Sequence, residues 1–179
     1  MATERQAPDT LADQANQTGA VTDIDDDPDS PDGLWLAWDG NGNTICRVTF
    51  PTPTGNPTTG VDLQEFRVLI REDTAGSNST AWSLELWENG VIVGTALNTG
   101  IDPAEGGVVV SGLWNAVDLA TADGSLVECR LIQTSGGTGS PTTRKGIEVG
   151  AVEWNVDFVA GGGADVRRHI VPAYMRLSR

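Results

Sequence analysis

Four acidic side chains sit close in sequence to tryptophans: Glu85, Glu88, Glu153 and Asp157, near Trp82, Trp87 and Trp154. Two carboxylates at a fixed separation suffice to hydrolyse a glycosidic bond, and indole faces are suited to stacking on sugar rings. No paired motif joins these carboxylates, and strand alternation sends Glu85 and Glu153 toward solvent, so the sequence is not read as that of an enzyme. A nucleophilic triad would need the lone histidine, His169, which lies in Arg167-Arg168-His169 with no GxSxG elbow in the chain. Flanking arginines lower the basicity of an imidazole, which makes His169 a poor general base.

The acidic stretch that runs from Asp23 to Gly33 is a candidate for metal binding. Alternating Asp oxygens suit a hard cation, which makes Asp23, Asp25, Asp27 and Asp29 the candidate calcium ligands. The template fails in detail. An EF-type loop started at Asp23 has Pro28 at the turn glycine and Leu34 at the bidentate glutamate, and one started at Asp25 has Ser30 and Leu36 there. The second acidic group, Asp39-Gly40-Asn41-Gly42-Asn43, reads as a turn. One histidine and two separated cysteines do not make a zinc site, and no cofactor is expected. Cys46 and Cys129 each alternate into an apolar face, and without a secretory signal they are expected to be reduced and buried; a bridge stays open if the fold brings them together. The order Cys46, Trp82, Cys129 suggests an immunoglobulin domain, but Val127 stands where the tyrosine corner would be.

The six tryptophans divide by alternation. Trp82 shares a face with Leu84 and Leu86, and Trp154 with Val152 and Val156, which marks both as core. Trp87 alternates with Glu85 toward the outside and is the candidate glycan contact. Charge is uneven along the chain. The formal net charge is −14, which argues against a nucleic-acid partner. Nine Asp and no Lys or Arg lie between Arg5 and Arg47, whereas Arg167, Arg168, Arg176 and Arg179 crowd the end with no acid among them. Ends of opposite sign suit contacts between copies or with a shell, so those four arginines are candidate assembly contacts.

These residues must be carried by strands. Short apolar, β-prone runs recur at 34–38, 44–50, 63–71, 82–87, 91–97, 108–114, 125–133, 146–158 and 166–177, separated by turn residues. Phe66, Val68 and Ile70 oppose Glu65, Arg67 and Arg71, the period of a sheet with one buried face. Asn89-Gly90 between two apolar runs predicts a tight hairpin, and Asn115 to Ala120 a single helical turn. The fold class expected is all-β: an antiparallel, jelly-roll-like sandwich with an extended N-terminal arm. The division expected is a polar arm over 1–20, a sandwich over 21–160, and a basic segment over 161–179 joined through Gly161-Gly162-Gly163. The arm is expected either to stay disordered or to order on a neighbouring subunit, so that its removal leaves the fold intact. No apolar run reaches the length of a membrane-spanning helix, and residues 1–19 lack the basic and apolar regions of a secretory signal.

Taken together, AVTDIDDDPDSPDGLWL at 20–36, FPTPTGNPTTGVDLQEFRVLIR at 50–71, LELWENG at 84–90, DGSLVECRLI at 123–132 and IEVGAVEWNV at 147–156 resemble a group of tailed-phage virion structural proteins. The likeness covers residues 20–158. It implies a β-sandwich in a multi-copy assembly, made in the host cytoplasm and placed on the capsid exterior. The partners implied are the major capsid protein and further copies of the same chain, with a trimer as the expected cluster. A capsid decoration or cement protein is the leading expectation, and a tail or baseplate receptor-binding module that holds carbohydrate is the alternative.

Overall fold

The structure, a computed structural model, describes residues 2–11, 17–38, 45–59, 64–72, 81–103, 106–135 and 147–158. In chain order the strands are β1 (Ala2–Gln6), β2 (Thr10–Leu11), β3 (Gln17–Thr18), β4 (Leu36–Trp38), β5 (Ile45–Thr49) and β6 (Gln64–Glu72). There follow β7 (Ala81–Glu88), β8 (Val91–Ile92), β9 (Asn98–Ile101), β10 (Val108–Trp114), β11 (Val127–Ser135) and β12 (Ile147–Phe158). They form two antiparallel sheets. The first runs β10-β6-β12-β4-β3 with β1 also on β12, and the second runs β2-β5-β11-β7-β8 with β9 also on β7. From β4 to β7, and again from β9 to β12, each successive strand changes sheet, which is the wrapping of a jelly-roll-like sandwich.

Alternation fills the space between the sheets. Phe66, Val68 and Ile70 of β6 and Val152, Trp154 and Val156 of β12 meet Trp82, Leu84 and Leu86 of β7 and Cys129 and Leu131 of β11, all essentially inaccessible to solvent. At one end Phe50, Phe66, Trp114 and Trp154 pack as an aromatic cluster, with neighbouring ring centroids 5.5 to 6.3 Å apart. Offset and edge-on contacts at such distances add specificity to the area they bury.

The spine of the first sheet is β12. One edge pairs with β6 along most of its length, and the other is shared by β4 at Ile147–Val149 and β1 at Trp154–Phe158. Between those two partners, the carbonyl of Ile24 accepts the Val152 N–H at 2.9 Å. The register against β6 slips between Val149 and Ala151. Gly150 sits at that slip because the Trp35 ring lies 3.0 Å from where a Cβ would project.

Several expectations meet different outcomes. The hairpin at Asn89-Gly90 forms, with φ of 47° and 78° at its two central residues. The helical turn appears as a 3-10 turn at Ala116–Asp118, whose first N–H groups are met by the Asn115 side chain accepting from Val117 N. The run 91–97 yields only the short β8, since Gly94 turns the chain at φ 72° before β9 begins. The N-terminal segment is extended as expected, yet its partner is its own chain: β1 lies along β12 and β2 along β5. The acidic stretch is irregular, as its prolines require, but it is built into the body, with Ile24 fully buried in the core. The Asp39 to Asn43 turn, the run at 166–177, His169 and the glycine joint lie outside the described residues.

Candidate functional site

Trp87 stands on the outer face of the second sheet, in a cross-strand row that antiparallel register fixes as Thr49, Glu128, Trp87 and Ile92. The adjacent row is Arg47, Arg130 and Glu85. Directly opposite residues share a face, so these side chains form one patch. The guanidinium carbon of Arg130 lies 3.6 Å from the Trp87 ring centroid. Arg130 is buried and Trp87 is partly exposed, so the indole is the more accessible member of the stacked pair. The indole N–H donates to Glu85 Oε2 at 2.8 Å, and the Ser83 hydroxyl donates to Glu85 Oε1 at 3.0 Å. The ring is thereby held at one face and at one edge.

Beneath it, Glu128 is clamped by two arginines. Arg47 donates to both of its oxygens at 2.7 and 2.8 Å, and Arg130 donates twice to Oε2 at 2.7 and 3.0 Å. Burial by itself would raise the Glu128 pKa, but the hydrogen bonds and positive charges of Arg47 and Arg130 outweigh it and hold the carboxyl below its usual range. Two cations and two anions balance across the patch. Ile92, beside Trp87 in the same row, is 40% exposed and extends the apolar surface toward the sheet edge.

The other acidic candidates are deployed separately. Glu153 projects from the outer face of the first sheet, where Arg5 Nε donates to it at 2.6 Å and Arg67 at 2.8 Å. Glu85 and Glu153 therefore lie on opposite outer faces of the sandwich. Glu88 turns inward at the sandwich end and accepts from the N–H groups of Ala120 and Thr121, each at 2.6 Å, and from the Thr121 hydroxyl. Burial and Asp123 oppose its ionisation, but these bonds prevail and its pKa is lowered. Asp157 belongs to β12 and pairs with Thr3, while its carbonyl accepts the Gln64 side chain at 2.7 Å.

The acidic stretch spends its carboxylates on its own backbone and on sheet one. Asp23 accepts from Ala20 N, Asp27 from Asp29 N and Asp26 from Asp32 N. Asp29 pairs with Arg67 at 2.8 Å. Among the described residues no three His, Cys, Asp or Glu side chains converge as metal ligands. Cys46 and Cys129 are free thiols buried on adjacent strands, and desolvation raises both pKa values. Arg167, Arg168, Arg176 and Arg179 lie outside the described residues.

At the sandwich end that carries the Asn89-Gly90 hairpin, a cleft of about 590 Å³ is walled by Val91, Ile92, Leu126, Glu88 and Asp118. A smaller hollow of about 290 Å³ adjoins it through Val93, Gly94 and Asp118 and extends to Leu113. Sequence alternation found Trp87 and its outward direction. It missed Arg130 beneath the ring and Arg47 beside Glu128, because strand pairing, and not spacing along the chain, brings them together.

No family model matches the sequence, and no curated protein matches it. Solved structures with a likeness to this chain include two. One is described as "EclA C-terminal domain; sugar-binding protein", at 12% identity and a TM-score of 0.34 over 63% of this chain and 78% of that one. The other is the CBM22-1 xylan-binding domain from Paenibacillus barcinonensis Xyn10C, at 12% identity and a TM-score of 0.39 over 74% of this chain and 92% of that one. At that identity neither likeness assigns a residue or an activity to this chain.

Proposed function

We propose that this domain is a non-catalytic carbohydrate-binding module whose stacking platform is Trp87 on the outer face of the second sheet. The observation that supports the reading is the posture of the indole: a guanidinium stacks on one face, a carboxylate holds its N–H, and the residue is partly exposed. A sugar docks on such a ring through its C–H face, and the ring needs no induced ordering to receive it. Glu85 and Arg47 stand in the adjacent row as hydrogen-bonding groups for sugar hydroxyls. Because the charges of the patch balance, the ligand favoured is an uncharged glycan and not a phosphorylated or sulfated one. The virion setting implied by the family resemblance belongs to the same proposal, as a receptor-binding surface for host glycan.

Affinity electrophoresis through gels containing neutral polysaccharides tests the reading. Wild-type protein is expected to be retarded by at least one of them, Trp87→Ala to lose the retardation, and Trp87→Phe to keep part of it. A thermal melt of each variant separates loss of binding from loss of fold. Retardation by none of the polysaccharides, or retardation untouched by Trp87→Ala in a folded variant, overturns the proposal.

A further inference from the structure

Large apolar side chains left in water are unevenly placed. Among the described residues seven are exposed: Leu34, Val91, Ile92, Val108, Leu113, Val117 and Leu126. Val91, Ile92 and Leu126 wall the cleft at the hairpin end, Leu113 lines the adjoining hollow, and Val117 neighbours Asp118 on its rim. Val91 is 65% and Val117 62% exposed. A concentrated apolar cleft of this kind marks an interaction site more often than scattered single residues do. Its exposed charge is the carboxylate of Asp118, since Glu88 is buried and bonded to Ala120 and Thr121, and no lysine or arginine is among the lining residues.

The described chain ends at the same end of the sandwich. Phe158 pairs with Pro57, and Pro57 and Trp154 crowd Gly124, at 3.1 and 2.8 Å from where its Cβ would stand. Gly124 belongs to the same connection, between the 3-10 turn and β11, that supplies Asp118, Ala120, Thr121 and Leu126 to the cleft. Beyond Phe158 come seven residues, 159–165, with three consecutive glycines, and then Val166-Arg167-Arg168-His169-Ile170-Val171-Pro172-Ala173-Tyr174-Met175-Arg176-Leu177. Seven residues reach at most about 23 Å when extended.

We propose that residues 166–177 of the same chain dock in this cleft, with their aliphatic side chains against Val91, Ile92 and Leu126 and an arginine toward Asp118. The segment has both properties that the cleft lacks a partner for. It is apolar and β-prone, and its charges are all positive, opposite in sign to the exposed Asp118. Docking also covers the short edge strand β8, the outermost strand of its sheet. This inference does not depend on the carbohydrate reading, which rests on the sheet face and not on the sandwich end.

The test places a photocross-linker in the full chain as Val91→p-benzoylphenylalanine, a substitution at an exposed position. Irradiation of an equal mixture of unlabelled and ¹⁵N-labelled protein is followed by mass spectrometry of the linked peptides. The expected result is linkage to peptides within 166–177 in which both partners carry the same isotope label, and loss of that linkage in Arg167→Glu/Arg168→Glu and at high salt. Linked peptides of mixed label would place the segment of a second copy in the cleft and overturn docking within one chain. Absence of linkage to 166–177, with the cross-linker reacting elsewhere or not at all, overturns the proposal altogether.

Discussion

Glu128 shows how a single buried carboxylate is made tolerable. It is 4% exposed, and four donor contacts from Arg47 and Arg130 replace the water it gives up. Its pKa is lowered in the fold, so over the acidic range the unfolded chain binds more protons than the folded one. Stability from this group is complete above the unfolded carboxyl value near 4.3 and is lost as pH falls through the lower, folded value. Urea unfolding between roughly pH 5 and pH 3 should therefore show a steep acid limb. In Glu128→Gln the limb should be shallower, while stability at neutral pH falls by about 1–3 kcal/mol because Arg130 loses its anion. An acid limb of equal slope in both proteins would show that Glu128 does not carry the effect. Trp87 depends on the same clamp, since the guanidinium beneath its ring is oriented by Glu128.

At the scale of elements, β1 carries more than its five residues suggest. It closes the second half of the free edge of β12, and its Arg5 supplies one of the two cations on the buried Glu153. Removal of residues 1–6 should lower the melting temperature by several degrees, whereas Arg5→Ala should cost less, because Glu153 keeps Arg67 and Asn155. An unchanged melt after the deletion would return the segment to the role of a dispensable arm. The longer strands, β5, β6, β7, β10, β11 and β12, were legible because alternation repeats over five or more positions, as in Phe66, Val68 and Ile70, whereas the run at 91–97 shortens to the two residues of β8. β1, β2, β3 and β9 were not. Ala2–Gln6 contains one apolar residue, and strands of two residues have no period to read, so their place is set by the edges they cover. Ile24 was hidden in the same way, as one apolar residue within a run of aspartates. For the site, Trp87 and Glu85 were assigned an outward face from sequence, but the stacking of Arg130 depends on register between β7 and β11.

At the scale of the whole molecule, a net charge of −14 on one domain costs stability through self-repulsion. The ion pairs seen are local and partly buried, so screening relieves the repulsion more than it weakens the pairs. The melting temperature at neutral pH should rise as sodium chloride goes from low concentration to about 0.5 M, and a fall would mean that the pairs dominate. The seating of β12 has a consequence for biosynthesis. The first sheet is arranged around a strand that is among the last parts of the domain to leave the ribosome, while the strands that flank it, β1, β4 and β6, are made earlier. Until Phe158 has emerged, those earlier strands have no common neighbour and offer open edges to any other nascent chain. Translation that stalls before residue 147 should thus release not a weakened domain but a sticky half-sandwich, a substrate for chaperones or for inclusion bodies.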